Sequence, residues 1–291
     1  MSRLVANAHA KTNLSLRILG RRSDGFHELT TRMSLISLAD TIEFDLLGKG
    51  NGVHFQMDGA DWKPKTGEEN LVTTACQVFA EATHKTLNIA IRLHKKIPSG
   101  AGLGGGSSDA AATLTALNTL YNTKLSLGRL LDLAANIGSD VPFFLHGKLC
   151  ECSGRGECVV PIDDDWELPI VLLKPAFGVA TPDAYKRWSR SKELSGVLYV
   201  PQLCPWGEMV NDLERPVFQK YPVLATMKMW LLEQPEVHAA LLSGSGSTML
   251  AVLSSQFGGE NLCTRAKAEF GQTLWTHVGQ TLAAPWPASN V

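Results

Sequence analysis

Residues 98–111 decide the fold, and their sequence is Pro98-Ser99-Gly100-Ala101-Gly102-Leu103-Gly104-Gly105-Gly106-Ser107-Ser108-Asp109-Ala110-Ala111. Five glycines and three serines in this stretch lead into an Ala/Leu-rich helical pattern that extends to about Tyr121. Because glycine has no Cβ, such a loop can form a concave nest of inward-pointing N–H groups, and the helix that follows adds partial positive charge at its N-terminus. The stretch therefore predicts a phosphate-binding loop between a strand and a helix.

Two common phosphate-binding loops do not fit this stretch. It lacks the Gly-Lys-Ser/Thr ending of a P-loop, and no acidic residue follows on a strand to bind the ribose of a dinucleotide. A flexible Gly/Ser linker is a third reading. The strand pattern before the loop and the helix pattern after it argue against a linker, so a different kind of phosphate cradle is predicted.

The rest of the chain mixes strand and helix patterns. Strand patterns cover Leu4–Ile18, Met33–Phe44, Leu87–Leu93, Val159–Ile162, Ile170–Leu173 and Met249–Leu253, and helix patterns cover Asn70–Ala82, Ser108–Tyr121, Leu127–Ile137, Tyr221–Leu232 and Leu262–Phe270. We expect the first two strands to pair antiparallel and Ser126 to cap the third helix. The apolar run Val141–Leu145 is interpreted as a further strand. These patterns predict an α+β fold with two subdomains that share a cleft, divided near Cys150 into residues 1–150 and 151–291.

Composition narrows the function. With 27 basic and 28 acidic side chains, the formal charge is −1, so no overall field favours nucleic acid or anionic lipid, and neither is expected as a partner. No apolar run approaches the ~20 residues of a membrane-spanning helix, and the start of the chain lacks the apolar core of a signal peptide. A cytoplasmic protein is expected, as a monomer or a homodimer.

The cysteines Cys150, Cys152 and Cys158 form the one cluster of such residues in the sequence. A zinc site would need a second pair of ligands at suitable spacing, which the neighbouring sequence lacks. We therefore expect reduced, strand-borne thiols in this chain.

The glycine-rich loop resembles that of the GHMP kinases, the superfamily of galactokinase and of homoserine and mevalonate kinases. Its longer Gly-Leu-Gly-Gly-Gly-Ser-Ser-Asp-Ala-Ala form is similar to the loop of the 4-diphosphocytidyl-2-C-methyl-D-erythritol kinase family. The resemblance implies a two-subdomain GHMP kinase fold with the active site in the cleft, and ATP and Mg²⁺ as cofactors. It implies that the ATP-binding residues are Pro98, Ser99, Gly100, Ala101, Gly102, Leu103, Gly104, Gly105, Gly106, Ser107 and Ser108.

Two further segments resemble the catalytic motifs of that family. Residues 7–14 contain Ala-Lys-x-Asn-Leu with Lys11 and Asn13, although His9 stands where the family more often has proline, and residues 138–144 contain Asp140 in Gly-Ser-Asp-Val-Pro-Phe-Phe. From chemistry alone, Lys11 could be a solvated strand residue and Asp140 a cap. The resemblance implies that Asp140 accepts the proton of a substrate hydroxyl, that Lys11 keeps that carboxylate ionised, and that Asn13 contacts the substrate.

The substrate is implied by residues 20–29, which resemble the Gly-x-Arg-x-Asp-Gly-Tyr-His motif with Phe26 where tyrosine is usual. By resemblance, Phe26 stacks on cytosine and His27 bonds its edge, although His27 alone could be an ordinary turn histidine. Residues 174–185 resemble the segment that supplies Thr181 and a second stacking ring, Tyr185, which could otherwise be a core aromatic.

The segments 211–214 and 242–247 match further family motifs, the second of them near phosphates in relatives. The implied reaction is ATP-dependent phosphorylation of the 2-hydroxyl of 4-diphosphocytidyl-2-C-methyl-D-erythritol, in the non-mevalonate (MEP) route to isoprenoid precursors. Ser107 or Ser108 could touch the metal, but no acidic ligand is assignable. The alternatives are a GHMP kinase for homoserine, mevalonate or a sugar, which residues 24–27 argue against, and a catalytically silent ligand-binding protein, which would not need both Lys11 and Asp140.

Overall fold

The computed structural model describes residues 2–59, 70–164 and 166–283. The strands are β1 (Arg3–Arg21), β2 (His27–Leu46), β3 (Val53–Gly59), β4 (Ile89–Lys95), β5 (Cys150–Gly154), β6 (Cys158–Pro161), β7 (Pro169–Lys174), β8 (Gln202–Cys204), β9 (Gly207–Asn211), β10 (Val237–Leu242), β11 (Met249–Leu253) and β12 (Trp275–Gln280). The helices are α1 (Leu71–Thr83), α2 (Gly105–Leu120), α3 (Leu127–Ile137), α4 (Val141–His146), α5 (Thr181–Trp188), α6 (Glu214–Lys220), α7 (Pro222–Leu232) and α8 (Gly259–Phe270).

The first sheet is built around the long antiparallel pair β1 and β2. Its strand order is β3-β4-β2-β1-β9-β8, and β5 pairs with β2 and carries β6. The register of β1 on β2 shifts between His9 and Lys11 and again between Asn13 and Ser15. Such irregularities redirect side chains. Residues 10–14 between them are all buried, so the polar side chains of this short stretch lie inside the protein.

Helices α1 to α4 cover the first sheet. Their shared core with β1, β2 and β4 includes Phe44, Phe79, Leu114 and Phe143, all fully buried. The Ala-rich face of α2 allows this helix to pack close to β1 and β2. Because α2 begins at Gly105, directly after the glycine-rich loop, its packing fixes the position of the loop.

The second sheet has the order β10-β11-β7-β12, with α7 packed on β10 and β11 and α8 on β7 and β12. A core of buried residues that includes Ile36, Leu103, Leu172 and Leu250 joins the two sheets. Leu103 belongs to the glycine-rich loop, so the loop is held at the junction between the halves of the chain.

The predicted α+β fold class is confirmed, and most predicted elements lie within a few residues of the observed ones. The Asn70 side chain caps α1, and Ser126 Oγ accepts from the Arg129 N–H as the predicted cap of α3. Helix α2 begins three residues earlier than predicted. The interpretation of Val141–Leu145 as a strand is wrong: these residues belong to α4, whose first turn contains Pro142. A short apolar run does not by itself distinguish a strand from a buried helix.

The division at residue 150 stays a prediction. Strands β5, β6, β8 and β9 come from the second half of the chain, yet they join the first sheet. Cys150 and Cys152 are buried on β5, where burial raises the pKa of each thiol to about 12, while Cys158 is exposed on β6. In the described parts of the chain, no helix has the length and apolar character needed to cross a membrane.

Candidate active site

A cavity of about 590 Å³ lies where the two halves of the chain meet, within the usual range for small-molecule sites. The predicted site residues in its wall are Lys11, Asn13, Pro98, Ser99, Gly100, Ala101, Gly102, Leu103, Gly104, Gly105, Gly106, Ser107, Asp140, Thr181 and Tyr185. Three predicted site residues, Phe26, His27 and Ser108, are not part of that wall. The structure therefore brings most of the predicted residues to one place, although they come from four separate segments.

Lys11 and Asp140 face each other in the cavity. Lys11 Nζ lies 3.7 Å from Asp140 Oδ2 and donates a hydrogen bond of 2.8 Å to Asn13 Oδ1. The Lys11 side chain is 6% exposed and that of Asp140 is 38% exposed. The lysine charge is therefore shielded from water, while the carboxylate of Asp140 is open to the cavity.

Asn13 is oriented by hydrogen bonds on both sides of its amide. Its Nδ2 donates to Thr31 Oγ1 at 2.7 Å, and Thr31 in turn donates to the Ser15 carbonyl at 2.6 Å. Because the carboxamide oxygen accepts from Lys11, the amide group is fixed with its oxygen toward the lysine. This chain of hydrogen bonds through Asn13 and Thr31 holds the ammonium group of Lys11 in place.

The glycine-rich loop approaches its neighbours too closely for larger residues. Gly102 and Gly104 have φ values of 75° and 68°, in the left-handed region that glycine adopts without strain. A Cβ on Gly104 would lie 2.8 Å from Phe144 Cζ and 3.0 Å from Lys11 Cγ. The Lys11 N–H donates to the Leu103 carbonyl at 2.9 Å, so the loop is bonded to the strand that carries the lysine.

A second loop, residues 243–247, closes the cavity from the other half of the chain. Asn211 Nδ2 donates to the carbonyls of Leu242 and Gly244, each at 2.7 Å, and Ser245 Oγ is 2.7 Å from Thr181 Oγ1. Gly244 and Ser245 line the cavity. Both loops that sequence analysis placed near phosphates therefore lie at the same end of the cavity, which we call the phosphate end.

A buried cluster of charges joins the two ends of the glycine-rich loop. Lys95 Nζ donates to Asp40 and, at 2.8 Å, to Asp109 Oδ2, while Asp40 Oδ1 accepts the N–H groups of Lys96 at 2.5 Å and Ile97 at 2.9 Å. Asp40 thus binds the chain just before the loop, and Asp109 lies in α2 just after it. We call Asp40, Lys95 and Asp109 the charge triad.

Two members of the charge triad, Asp109 and Lys95, have raised pKa values. Burial raises the pKa of Asp109 to about 7 despite the opposing effect of Lys95. Burial opposes the charge on Lys95, but the two carboxylates outweigh it and raise its pKa. Asp109 Oδ1 is buried without a hydrogen-bond partner among the described residues. The triad therefore holds the loop with one carboxylate that is only partly satisfied.

Aromatic rings lie at and beside another part of the cavity wall, here called the base end. His27 lies with its ring centroid 5.3 Å from that of Tyr185 and 5.8 Å from that of Trp188, and burial lowers its pKa. Phe26 is 51% exposed, and the guanidinium of Arg155 lies 4.7 Å from its ring centroid. Both Phe26 and His27 therefore adjoin residues of the cavity wall, Arg155 and Tyr185, without lining it themselves.

Magnesium has few candidate side chains here. In residues 2–59, 70–164 and 166–283, no group of three or more His, Cys, Asp and Glu side chains could hold a metal ion. Mg²⁺ in phosphate-transfer sites usually keeps water and binds phosphates with only one or two side chains, so such a group is not required. Ser107 lines the cavity, whereas Ser108 lines a separate cavity of about 180 Å³ that also contains His9. Of the two serines, Ser107 is the one that fits a metal bound to phosphates.

Sequence analysis missed Arg155 and the charge triad. Lys95 and Asp109 are 14 residues apart, and Asp40 is 55 residues from Lys95, so no local pattern links them. The one available signal is an aspartate within the first turns of an otherwise uncharged, Ala-rich helix. Arg155 lies in a short turn with no distinctive motif.

Comparison with known proteins gives the family context for this geometry. The model of the GHMP kinases N terminal domain matches residues 70–148, which include the glycine-rich loop. A 4-diphosphocytidyl-2-C-methyl-D-erythritol kinase of Methylacidiphilum infernorum is 39% identical over 278 residues, covering 94% of this chain and 96% of the relative. A relative from Arabidopsis thaliana, named as the chloroplastic form of that kinase, is 36% identical and covers 87% of this chain and 68% of its own.

Solved structures give the same picture for the fold. A crystal structure of a 4-(cytidine 5'-diphospho)-2C-methyl-D-erythritol kinase superposes with a TM-score of 0.76 and 30% identity, over 97% of this chain and all of the other. A homoserine kinase from Cytophaga hutchinsonii superposes with a TM-score of 0.69 and 20% identity over 98% of this chain and 96% of its own. At that identity the second similarity shows the fold alone.

Proposed function

Because the chain belongs to the 4-diphosphocytidyl-2-C-methyl-D-erythritol kinase family, we propose that its cavity transfers the γ-phosphate of ATP to the 2-hydroxyl of that cytidylyl substrate. The observation that carries the proposal is the placement of Lys11 and Asp140 across from each other beside the glycine-rich loop. A kinase needs an acceptor hydroxyl, a phosphoryl group and neutralised charge in one dehydrated place. The phosphate end of the cavity offers groups for each of these.

Asp140 is the general base in this proposal. Its carboxylate takes the proton of the 2-hydroxyl as the hydroxyl oxygen forms a bond to the γ-phosphorus and the bond to the ADP oxygen breaks. Lys11, whose ammonium group lies 3.7 Å from that carboxylate, offsets charge on the transferring phosphoryl group. Asn13 keeps the ammonium group in position through its 2.8 Å hydrogen bond.

ATP binds along the glycine-rich loop in this proposal. The N-terminus of α2 and the N–H groups of the loop favour the negative charge of the phosphates. Ser107 is the residue that would hold Mg²⁺ together with those phosphates, and the ion would offset phosphate charge. The charge triad keeps both ends of the loop in place, so the cradle exists before ATP arrives.

The cytosine ring binds at the base end. Phe26 offers an exposed ring face, Tyr185 lines the cavity, and His27 lies beside Tyr185 with an imidazole that burial favours in its neutral form. Aromatic rings stack on a base through its π-face, and a neutral imidazole can both donate and accept at the edge of the base. Thr181 also lines the cavity, with its hydroxyl 2.7 Å from that of Ser245.

A substrate panel tests the proposal. The purified chain is incubated with ATP and Mg²⁺ and with the cytidylyl substrate, homoserine, mevalonate or galactose, and phosphorylated product is measured by mass spectrometry. We expect product from the cytidylyl substrate and little from the other three. Efficient phosphorylation of another acceptor would reassign the substrate, and no product from any acceptor, with ATP still bound, would favour the silent binding protein.

A further inference from the structure

The turn between β5 and β6 brings a cation to the cavity that the mechanism above does not use. Arg155 and Gly156 in this turn line the cavity. Gly154, at the end of β5, pairs with Leu29 of β2, so the turn lies beside the segment that carries Phe26. The Arg155 guanidinium is 4.7 Å from the centre of the Phe26 ring.

The same turn also reaches the catalytic carboxylate. A Cβ on Gly156 would lie 3.8 Å from Asp140 Oδ1. Two adjacent residues therefore adjoin the two ends of the cavity, Gly156 the Asp140 carboxylate and Arg155 the aromatic ring of the base end. Whatever joins a base stacked at Phe26 to a hydroxyl beside Asp140 has to pass this turn.

Arg155 has hydrogen-bond donors to spare. Its backbone N–H donates to Glu157 Oε2 at 2.5 Å, and its Nε lies 3.6 Å from Glu157 Oε1, beyond hydrogen-bond distance. Among the described residues, the guanidinium makes no hydrogen bond within the protein. Its side chain is 34% exposed, so the planar group is reachable from the cavity.

The other cations of the described cavity wall are already engaged. Lys11 bonds to Asn13 and faces Asp140, and Lys95 is enclosed by the charge triad. The proposed substrate joins cytidine to a branched polyol through a diphosphate. A guanidinium is the side chain whose paired donors match phosphate oxygens.

We infer that Arg155 binds the diphosphate of the cytidylyl substrate and thereby determines specificity for a cytidine diphosphate over an uncharged nucleoside. The inference rests on the proposed function, since the diphosphate is a property of that substrate. The guanidinium is kept near the base end by the Phe26 ring and by the carboxylate of Glu157. Its remaining N–H donors are free to bind phosphate oxygens.

Binding of cytidine, CMP and CDP in the absence of ATP tests the inference separately from catalysis. Isothermal titration of the wild type, Arg155→Met and Arg155→Lys gives a Kd for each ligand. We expect Arg155→Met to raise the Kd for CDP by roughly ten- to hundredfold, as for loss of a hydrogen bond between charged groups. The Kd for cytidine should change by less than about threefold. Arg155→Lys should recover part of the CDP affinity, because charge returns without the planar fork.

The matched control is Arg129→Met, which removes an arginine from the exposed face of α3, where it pairs with Asp132 at 3.6 Å. This variant should bind all three ligands as the wild type does. If the wild type prefers CDP to cytidine and Arg155→Met keeps that preference, the inference about Arg155 is wrong. Equal loss for CDP and cytidine would show that Arg155 only supports the Phe26 ring, which also overturns it. If the wild type binds none of the three, the proposed function itself fails.

Discussion

The phosphate end and the base end of the cavity differ in how deeply their residues are buried and in what holds them. At the phosphate end, Lys11 and Asn13 are buried on irregular parts of β1, and the loop above them is tied by the charge triad. At the base end, Phe26 is half exposed and is held by a turn in which its N–H donates to Asp24 at 3.0 Å. The residues proposed to carry the chemistry are therefore held mainly in the interior, whereas Phe26, proposed to bind the base, lies at the surface.

This contrast has a consequence for substitutions. Changes at the phosphate end should alter rate, ATP binding or stability, because each group there is bonded to several others. Changes at the base end should alter the affinity for one substrate and little else. The two ends can therefore be separated experimentally.

The largest effect is expected for Asp140→Asn. Loss of the general base should lower kcat by about 10²–10⁴, while the KM values for ATP and for the cytidylyl substrate stay within a few fold because the shape is kept. Steady-state kinetics of the two-substrate reaction measures all three constants. A kcat close to that of the wild type would make Asp140 a structural residue.

Lys95→Met tests whether the charge triad supports the phosphate end. The change leaves Asp40 and Asp109 buried without their cation, which typically costs about 3–5 kcal/mol. Urea unfolding at pH 8 should show this loss in the free energy of unfolding. The neighbouring Lys96→Met is the control. Lys96 is exposed, so this variant should have the same free energy of unfolding as the wild type. Equal stability of both variants would contradict the role given to the triad.

Asp109→Asn should change how stability depends on pH. The folded pKa of Asp109 is about 7, above its ordinary value, so the folded state binds more protons than the unfolded state between about pH 4 and pH 7. The stability of the wild type relative to the variant should therefore fall as the pH rises through that window, by at most about 1.4 kcal/mol for each pH unit.

Asp24→Asn at the base end should give the opposite sign. The N–H of Phe26 and the nearby arginines lower the pKa of Asp24, so its contribution is present at neutral pH and is lost as the pH falls through the folded pKa. Urea unfolding of both variants across pH 3 to pH 8 makes the comparison. Parallel pH profiles for Asp109→Asn and the wild type would show that Asp109 does not titrate in this window.

Gly104→Val should weaken the binding of ATP much more than the binding of the cytidylyl substrate. The φ value of 68° and the 2.8 Å approach to Phe144 leave no place for a branched side chain. We expect the KM for ATP to rise by roughly a hundredfold, given the ~1–3 kcal/mol cost of such strain. Gly106→Ala is the control, because its Cβ would meet Leu71 at an ordinary 3.5 Å. Equal losses for both substrates, with a lower Tm, would indicate a folding defect instead.

The smallest effect is expected at Phe26. Phe26→Ala removes one stacking contact, which should raise the KM for the cytidylyl substrate by roughly ten- to hundredfold and leave that for ATP unchanged. Phe26→Tyr should be nearly neutral, since the ring face is kept. His27→Ala should reduce the preference for the cytidylyl over the uridylyl substrate, measured as the ratio of kcat/KM. Unchanged kinetics in all of these variants would place the base elsewhere.

The sequence predicts the features that local residue patterns mark and misses those that depend on contacts between distant segments. The glycine-rich loop, α1 and α3 are marked by local chemistry, with glycines, Asn70 and Ser126 at the expected places. Lys11 and Asp140 could be paired only through the resemblance to known kinases, because 129 positions separate them along the chain. Their 3.7 Å approach results from the bulged strand β1 and the helix α4, a segment whose short apolar run predicts a strand.

Contacts between distant segments account for the rest. The charge triad depends on where β4 ends against β2, since Thr41 pairs with His94 and places Asp40 beside Lys95. Arg155 faces the cavity because β5 pairs with β2 in one register, with Leu29 opposite Gly154. Registers of this kind are set by tertiary packing, so residue patterns within one segment do not reveal them.

The parallel pairing of β1 with β9 bears on the order in which the protein can fold as it is made. Ser15 and Leu16 pair with Val210 and Asn211, and the Asp212 carboxylate accepts the Ile18 N–H at 2.8 Å. At roughly 5–20 residues per second, a ribosome needs about 10–40 seconds to proceed from the first pair of residues to the second. During that time one edge of β1 lies open next to Lys11, so the cavity is completed late in translation.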